Sequence, residues 1–178
     1  MSQSAAALRD TVSAPRTASA AVPTADLCDL HPDAEVLRVE FRTFGGLPGC
    51  AGRVETIKTR DDNSLVKAVL AEAGEGRVLV IDNSASTNCA MLGGDLAQAA
   101  AVNGWAGIVV FGALRDVAEL QATPIAVFAL ATCPRKSAKR GIGTLGEPLR
   151  IAGTYLRRGD MLAADADGIV VLPSWAVS

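Results

Sequence analysis

The chain has little of several residue types on which common enzyme mechanisms depend. Its 178 residues include one histidine, His31, and one tyrosine, and aromatic residues make up only 4% of the total. A site with several histidine ligands and a histidine pair for acid–base catalysis are therefore both excluded. A serine–histidine relay would depend on His31, which precedes Pro32 in an acidic setting and is more typical of a surface residue.

Cysteine is also sparse, and the four cysteines lie far apart in the sequence. No CxxC pair is present, so a zinc site built on closely spaced cysteines is excluded. A chain of this length and apolar content does not depend on disulfides for a core. We expect free, buried thiols in a reducing compartment at Cys28, Cys50, Cys89 and Cys133.

Long hydrophobic runs and an excess of one charge are missing as well. No apolar run approaches the roughly 18 residues that indicate a membrane-spanning helix, and no charged-then-apolar secretory signal stands at the start. The 17 Lys and Arg residues against 19 Asp and Glu leave a net charge of −2, which gives no general attraction to nucleic acid. We expect a cytoplasmic protein with neither a membrane nor a nucleic-acid partner.

Composition divides the chain into a short tail and one domain. Residues 1–22 are rich in alanine and serine, with two arginines and a single acid. We predict a flexible tail there, with an organellar transit peptide as the alternative. Hydrophobic residues make up 49% of the whole chain, which excludes general disorder. Residues 23–178 are therefore predicted to fold as one domain.

Two fully apolar runs in the middle of the chain, Val78–Ile81 and Gly107–Phe111, predict buried strands. An alanine-rich helix that ends near Asn103 separates them. A short helix over Arg115–Leu120 then leads to a third strand, Ile125–Leu130. Strands that alternate with helices predict a largely parallel sheet joined by crossovers. The fold class is therefore α/β, as a single domain with mixed sheets.

The flanking regions predict smaller elements. Thr24–Asp26 is expected to cap a short helix, and Asp62 or Asn63 to cap another. Gly45–Gly52 has four glycines and a proline, which predicts a loop. The remaining predicted strands are short: Val36–Phe41, Arg53–Lys58, Leu149–Ala152, Met161–Ala164 and Gly168–Val171.

Candidate site residues follow the second buried strand, because ligands of open α/β sheets bind beyond the carboxyl ends of strands. Arg115 can hold a carboxylate through two parallel hydrogen bonds. Asp116 and Glu119 lie three residues apart, so a helix places both on one face. Two carboxylates without histidine suit Mg²⁺ or Mn²⁺ better than zinc. The alternative is an ordinary capped helix with solvent-exposed charges.

A second candidate lies at the predicted start of the alanine-rich helix. The backbone N–H groups of Gly93, Gly94, Asp95 and Leu96 and the positive end of the helix can bind an anion such as a carboxylate. The alternative is a plain helix start, at which Asp95 compensates the helix dipole.

Two other patterns do not indicate sites. Gly141–Gly146 matches GxGxxG, the dinucleotide fingerprint, but no strand precedes it and Glu147-Pro148 opens no helix, so we interpret it as a turn. The basic segment Pro134–Arg140 has no neighbouring aromatic residues, and we interpret it as a solvated loop or a subunit contact.

Many short motifs, in order from about Thr24 to Val171, resemble the RraA-like family. This family comprises the regulator of ribonuclease activity A and the 4-hydroxy-4-methyl-2-oxoglutarate aldolases. The matching segments are Thr24–Asp29, Phe44–Gly46, Asp62-Asn63, Gly76–Val80, Asn103–Ile108, Gly112–Asp116, Pro134–Ser137, Gly159-Asp160 and Asp165–Gly168.

The resemblance implies a swivelling-type β/β/α fold and a homotrimer with active sites between subunits. It implies aldol cleavage of 4-hydroxy-4-methyl-2-oxoglutarate to two pyruvates with Mg²⁺ or Mn²⁺, and oxaloacetate decarboxylation as a side activity. In that pattern Gly93–Leu96 binds the carboxylate of the 2-oxo acid, Arg115 contacts the substrate and Asp116 anchors the metal. The family's regulators imply the alternative function, a non-catalytic protein that binds and inhibits an RNase E-type endoribonuclease.

The sequence departs from the aldolase motif at one position. The motif has an aspartate, twenty intervening residues and then Arg-Asp, whereas here Gly94 takes the place of that aspartate ahead of Arg115-Asp116. A variant of the family has glycine there and an acid three residues past the second aspartate, which Glu119 fits. Glu119 is therefore expected to supply the missing catalytic and metal-binding carboxylate, with Asp95 as the weaker substitute.

A Schiff-base mechanism is not expected. Such a mechanism needs a desolvated lysine, and the chain has only four lysines. Three of them are expected at the surface and the fourth, Lys58, lies on a predicted strand.

Overall fold

The computed structural model describes residues 23–174, and the tail predicted for residues 1–22 lies outside them. The helices are α1 Thr24–Leu30, α2 Ser64–Leu70, α3 Gly94–Val102 and α4 Val117–Ala122. The strands are β1 Glu35–Val36, β2 Arg42–Thr43, β3 Cys50–Lys58, β4 Val78–Asp82, β5 Ala90–Leu92, β6 Gly107–Leu114, β7 Ala126–Thr132, β8 Thr144–Leu145, β9 Leu149–Ile151, β10 Thr154–Leu156, β11 Met161–Ala164 and β12 Ile169–Leu172. None of the helices among these residues is long and apolar enough to cross a membrane.

A mixed sheet of ten strands forms the frame of the fold. Its main order is β1-β12-β11-β3-β4-β6-β7-β2, with β5 added beside β6 and β8 beside β3. The central strands β3, β4, β6 and β7 are parallel, and the pairs toward both ends are antiparallel. A separate hairpin joins β9 and β10. The predicted α/β single domain with a mixed sheet is confirmed.

Two apolar cores cover the two faces of this sheet. Leu79 and Ile81 of β4 pack into the core beneath α2, α3 and α4. Val78 and Val80 of the same strand pack into the core beneath the β9–β10 hairpin. Side chains alternate between the two faces of a strand, so a strand covered on both faces has only apolar positions. This is why the sequence of β4 is one continuous apolar run.

The strand predicted over Val36–Phe41 is wrong except for its first residue, Val36. β1 pairs with β12 at one end of the sheet, whereas β2 pairs with β7 at the other end. The intervening segment therefore has to cross the sheet and cannot lie in its ladder. Leu37 is buried in the second core, and Val39 and Phe41 pack against that core. Their alternating apolar pattern reflects this packing.

The loop predicted over Gly45–Gly52 ends earlier than expected, because residues 50–52 belong to β3. A Cβ on Gly52 would overlap the carbonyl oxygen of Gly76, so this glycine permits close packing of two backbones and does not mark a turn. Strands β2, β5, β8 and β10 were not predicted, and each has only two or three residues. β8 lies within Gly141–Gly146, the segment that was interpreted as a turn.

The cap predicted at Thr24–Asp26 is also different. Pro23 is the N-cap of α1, and the cap hydrogen bonds come from the far end of the chain. The carboxylate of Asp165 accepts the Thr24 N–H at 2.8 Å and the Thr24 hydroxyl at 2.7 Å. A cap supplied by a distant residue has no signature in the local sequence.

The four cysteines are free, as predicted, but only two are buried. Cys50 and Cys89 lie in the two cores, and Cys28 and Cys133 are partly exposed. Burial raises the pKa of the Cys50 thiol to about 12, so it remains a neutral core side chain.

Candidate active site

A cleft of about 350 Å³ opens beyond the carboxyl ends of β5 and β6, as the rule for open α/β sheets predicts. The start of α3 and the turn from β6 into α4 form one side of it. Helix α2 and the basic segment 134–140 form the other side. The polar and charged residues that line the cleft are Asn63, Lys67, Asp95, Arg115, Asp116, Lys136, Ser137 and Lys139.

Asp116 is held in an uncommon backbone conformation that directs its carboxylate into the site. It is the N-cap of α4 with φ of 61° and ψ of 44°, a left-handed conformation that few residues other than glycine adopt. Its side chain makes no cap hydrogen bond to α4. Instead, Asp116 Oδ2 accepts the Gly94 N–H at 3.2 Å and lies 3.3 Å from Arg115 Nε.

Gly93 and Gly94 allow two carboxylates to approach the start of α3. A Cβ on Gly93 would lie 2.5 Å from Asp116 Oδ2. A Cβ on Gly94 would overlap the carboxylate of Glu119. The Glu119 carboxylate therefore occupies the space that a side chain at position 94 would fill. This is the arrangement expected if Glu119 replaces a carboxylate missing from position 94.

Some of the site residues predicted from the sequence line the cleft and others do not. Gly93, Asp95, Leu96, Arg115 and Asp116 line it. Gly94 and Glu119 do not line it; Glu119 is exposed on α4 and its carboxylate lies over Gly94. The Arg115 side chain is 40% exposed, so its guanidinium is open to a ligand.

The start of α3 offers donors for an anion. Gly93 is an extended N-cap without a side-chain cap, and the first N–H groups of a helix have no partner within the helix. Gly94 gives its N–H to Asp116, which leaves those of Asp95 and Leu96 on the cleft side. The positive end of α3 also favours an anion there.

The donor set fits a hard divalent cation. The Asp116 carboxylate lies beside Gly93 and the Glu119 carboxylate beside Gly94, each in the space that a Cβ on that glycine would take. Among residues 23–174, no group of three or more His, Cys, Asp or Glu side chains is clustered for a metal. Mg²⁺ is commonly bound by one or two carboxylates and keeps several waters, so two carboxylates are a suitable set for it.

The basic side of the cleft was not predicted from the sequence. Segment 134–140 was interpreted as a solvated loop or a subunit contact, whereas Lys136, Ser137 and Lys139 line the cleft opposite Arg115. Lys67 of α2 joins them there. The signal in the sequence is weak, because only the topology brings a segment twenty residues beyond Arg115 back to the site.

Asp62 fastens this segment to α2. Its buried carboxylate accepts the Ser64 N–H at 2.9 Å and the Arg140 N–H. Burial by itself raises the pKa of this carboxyl, but hydrogen bonds from Ser64, Arg140 and Ile142 outweigh burial and hold the pKa below its ordinary value of 3.8. Asp62 therefore favours the folded state in its ionised form.

Folding stability is expected to depend on this carboxylate at low pH. A group with a lowered pKa in the folded state stabilises the fold above its unfolded pKa, and the contribution is lost as pH falls through the folded value. We expect the free energy of unfolding to fall below about pH 5. Asp62→Asn should lower it by about 1–3 kcal/mol at neutral pH and make the acid dependence shallower, as measured by urea unfolding. An unchanged acid slope in Asp62→Asn would contradict this role.

The family model RraA-like (Aldolase/RraA) matches residues 24–171. The chain belongs to the RraA-like family. A relative from Thermus thermophilus, named 4-hydroxy-4-methyl-2-oxoglutarate aldolase, is 48% identical over 150 residues, which cover 84% of this chain and 92% of that protein.

Two solved structures have the same fold as this RraA-like chain. The RNA-processing inhibitor RraA from Thermus thermophilus has a TM-score of 0.84 at 47% identity and covers 86% of this chain and 93% of its own. A protein from Geobacillus kaustophilus, described as an S-adenosylmethionine:2-dimethylmenaquinone methyltransferase, has a TM-score of 0.84 at 40% identity, with 85% and 95% covered. These names give different activities for one fold, so function has to be argued from the site.

Proposed function

We propose that this RraA-like protein is a carbon–carbon lyase that cleaves 4-hydroxy-4-methyl-2-oxoglutarate to two pyruvates with a divalent cation, Mg²⁺ or Mn²⁺. Oxaloacetate decarboxylation is the proposed second activity. The observation that carries the proposal is the convergence of Arg115, Asp116 and Glu119 on Gly93 and Gly94 beside the cleft. The name of the Thermus relative supports it.

The proposed reaction breaks the bond between C3 and C4 of the substrate. The 4-hydroxyl loses its proton, and C4 becomes the keto carbon of the first pyruvate. The electron pair of the broken bond passes to C3 and onto the former 2-keto oxygen, which gives the enolate of the second pyruvate. Protonation at C3 completes that pyruvate. Loss of CO₂ from oxaloacetate leaves the same enolate, so one site serves both reactions.

The residues of the site match the charges in this reaction. The free N–H groups of Asp95 and Leu96 at the start of α3 are suited to the C1 carboxylate. Arg115 is suited to stabilise the negative charge that develops on the keto oxygen, because its guanidinium is fixed beside Asp116. Closure of the cleft by a neighbouring subunit would exclude water and strengthen both interactions.

The proposed metal site lies beside the keto oxygen on which the negative charge develops. Asp116 and Glu119 are the residues that would hold the metal, and when bound it supplies Lewis-acid stabilisation of the keto oxygen.

The exposure of the lysines favours a metal-dependent mechanism over a Schiff-base mechanism. All four, at positions 58, 67, 136 and 139, are exposed, so their amines are not desolvated.

The proposal includes a cytoplasmic homotrimer with its sites between subunits, which the family resemblance implies. In that assembly a neighbouring subunit would close the open side of the cleft, where the Arg115 side chain is 40% exposed. Size measurement in solution by light scattering tests the assembly.

A second candidate function is regulation of an RNA-processing enzyme. The description of the Thermus thermophilus structure as an RNA-processing inhibitor favours it. Binding to an RNase E-type endoribonuclease would not need the cleft. Co-purification with such an enzyme that survives Arg115→Ala, in a protein without turnover, would support this function.

The test of the aldolase proposal is pyruvate release from 4-hydroxy-4-methyl-2-oxoglutarate with Mg²⁺ or Mn²⁺. We expect two pyruvates for each substrate consumed, and one pyruvate with one CO₂ from oxaloacetate. A folded, metal-loaded protein that releases no pyruvate from either compound would overturn the proposal.

A further inference from the structure

The half of the cleft opposite Arg115 is built from side chains that the proposed cleavage does not use. These are Lys67 on α2 and Lys136, Ser137 and Lys139 on segment 134–140. A pyruvyl unit bound at the start of α3 would fill only part of a cleft of about 350 Å³, a volume within the range of sites for larger small molecules. The remaining space lies against these residues.

Ser137 has an unsatisfied hydroxyl. The residue is only 7% exposed, and its Oγ is the one buried side-chain polar atom within residues 23–174 that lacks a hydrogen-bond partner. Leaving a buried hydroxyl unpaired is unfavourable, and such groups are rare in native proteins. Because Ser137 lines the cleft, a ligand there is the partner that its position offers.

The charges around Ser137 indicate that this ligand group is an anion. Three of the four lysines in the chain line the cleft. Within residues 23–174, none of these three lies within 4.0 Å of a carboxylate in an ion pair. With Arg115 they give four positive side chains, against Asp95 and Asp116 in the lining and Glu119 beside it, and a bound divalent cation would add two positive charges. An additional carboxylate on the ligand would balance this excess.

The segment that carries Ser137 is held by backbone hydrogen bonds on both sides of this residue. The Arg135 carbonyl accepts the Ala90 N–H at 2.8 Å, and the Ala138 N–H donates to the Asp61 carbonyl at 3.0 Å. Asp62 accepts the Arg140 N–H. Lys136 and Ser137 therefore lie on a backbone that is fixed before a ligand arrives, which lowers the entropy lost on binding.

We propose that Ser137, with Lys136 and Lys139, binds a second carboxylate of the substrate, at the end remote from the pyruvyl unit. This inference rests on the proposed function and assigns its selectivity. The pyruvyl part of the substrate is bound at the start of α3 and by Arg115. The basic side of the cleft then selects 2-oxo acids that end in a carboxylate over those that end in a methyl group.

The test compares two ligands that differ only at the remote end and lack the 4-hydroxyl needed for cleavage. These are 2-oxoglutarate, which ends in a carboxylate, and 2-oxopentanoate, which ends in a methyl group. We expect the wild-type protein with Mg²⁺ to bind 2-oxoglutarate at least about tenfold more tightly in calorimetric titrations, the range for a hydrogen bond to a charged group. Ser137→Ala and the surface double variant Lys136→Met/Lys139→Met should each remove most of this preference.

Lys58→Met is the matched control, since it removes the one lysine outside the cleft, and it should keep the wild-type preference. Equal binding of the two ligands, no binding of either, or a preference that survives both variants would overturn the inference. The binding comparison and the pyruvate-release test can fail independently. Pyruvate release without a ligand preference would contradict only this inference, and a preference without pyruvate release would contradict only the proposed reaction.

Discussion

Asp116→Asn is expected to reduce the rate of pyruvate release by at least about 10²–10³-fold, the usual cost of losing one electrostatic contact to the transition state. Asparagine tolerates the left-handed backbone at φ of 61° and can still accept the Gly94 N–H. The variant therefore removes the charge that is proposed to hold the cation and that pairs with Arg115, while the geometry of the turn is kept. Turnover is measured at saturating Mg²⁺, beside thermal unfolding and light scattering.

Two further variants distinguish the effect of losing the Asp116 charge from the effect of destabilising the fold. Asp116→Ala should lose as much activity and also about 1–2 kcal/mol of stability, because alanine is strained in the left-handed region. Asp29→Ala removes an exposed carboxylate on α1, a helix that packs against β12 and contributes no residue to the cleft, and should behave as wild type. Asp116→Asn with wild-type turnover would exclude Asp116 as the metal anchor.

Moving the second carboxylate from position 119 to position 94 is expected to restore activity that each single change removes. Gly94→Asp alone should lower kcat/KM by at least about tenfold, because its Cβ overlaps the Glu119 carboxylate and overpacking of this kind typically costs about 1–3 kcal/mol. Glu119→Ala alone should lower it by about 10²-fold through loss of the carboxylate. The double variant Gly94→Asp/Glu119→Ala should recover part of this loss, because the carboxylate returns while a 2.8 Å approach to the Cβ of residue 119 remains.

The matched control for the exchange is Gly94→Ala/Glu119→Ala, which keeps the same 2.8 Å approach to the Cβ of residue 119 as the exchange variant but leaves position 94 without a carboxylate. It should stay as inactive as Glu119→Ala. The double-mutant cycle on kcat/KM measures the coupling between the two positions, and neighbouring residues that share a function couple by about 0.5–3 kcal/mol. Additive effects of Gly94→Asp and Glu119→Ala would contradict the view that both side chains compete for one position.

The buried centre of the fold could be predicted from the sequence because its strands are covered on both faces. The segments of β4 and β6 are continuous apolar runs, and a short apolar run beside glycine or polar residues predicts a buried strand without further information. The failure at residues 37–41 has the opposite cause. That segment crosses the sheet from β1 to β2, and only the strand order shows that it cannot pair.

The acidic half of the site could be predicted because its residues are close in sequence. Arg115, Asp116 and Glu119 follow one strand, and Gly93-Gly94 begins one helix. That the Glu119 carboxylate lies over Gly94 could not be derived from spacing, since it depends on how α3 and α4 pack. The family variant suggested the substitution, and the overlap at Gly94 gives it a physical basis.

The basic half of the site was missed because its partners are distant in the chain. Lys136 and Ser137 reach the cleft through backbone contacts to Ala90 and Asp61, more than forty residues earlier. A basic run without such contacts is ordinarily a solvated loop. The buried, unpaired hydroxyl of Ser137 distinguishes this segment, and its burial arises only in the three-dimensional structure.

The measurement that tests the central claim most directly is pyruvate release from 4-hydroxy-4-methyl-2-oxoglutarate before and after removal of divalent cations. We predict turnover with Mg²⁺ or Mn²⁺, its loss in excess chelator, and its return when either cation is restored, because the proposed reaction needs a cation beside the keto oxygen. Turnover that persists in excess chelator would contradict the metal-dependent site proposed at Asp116 and Glu119.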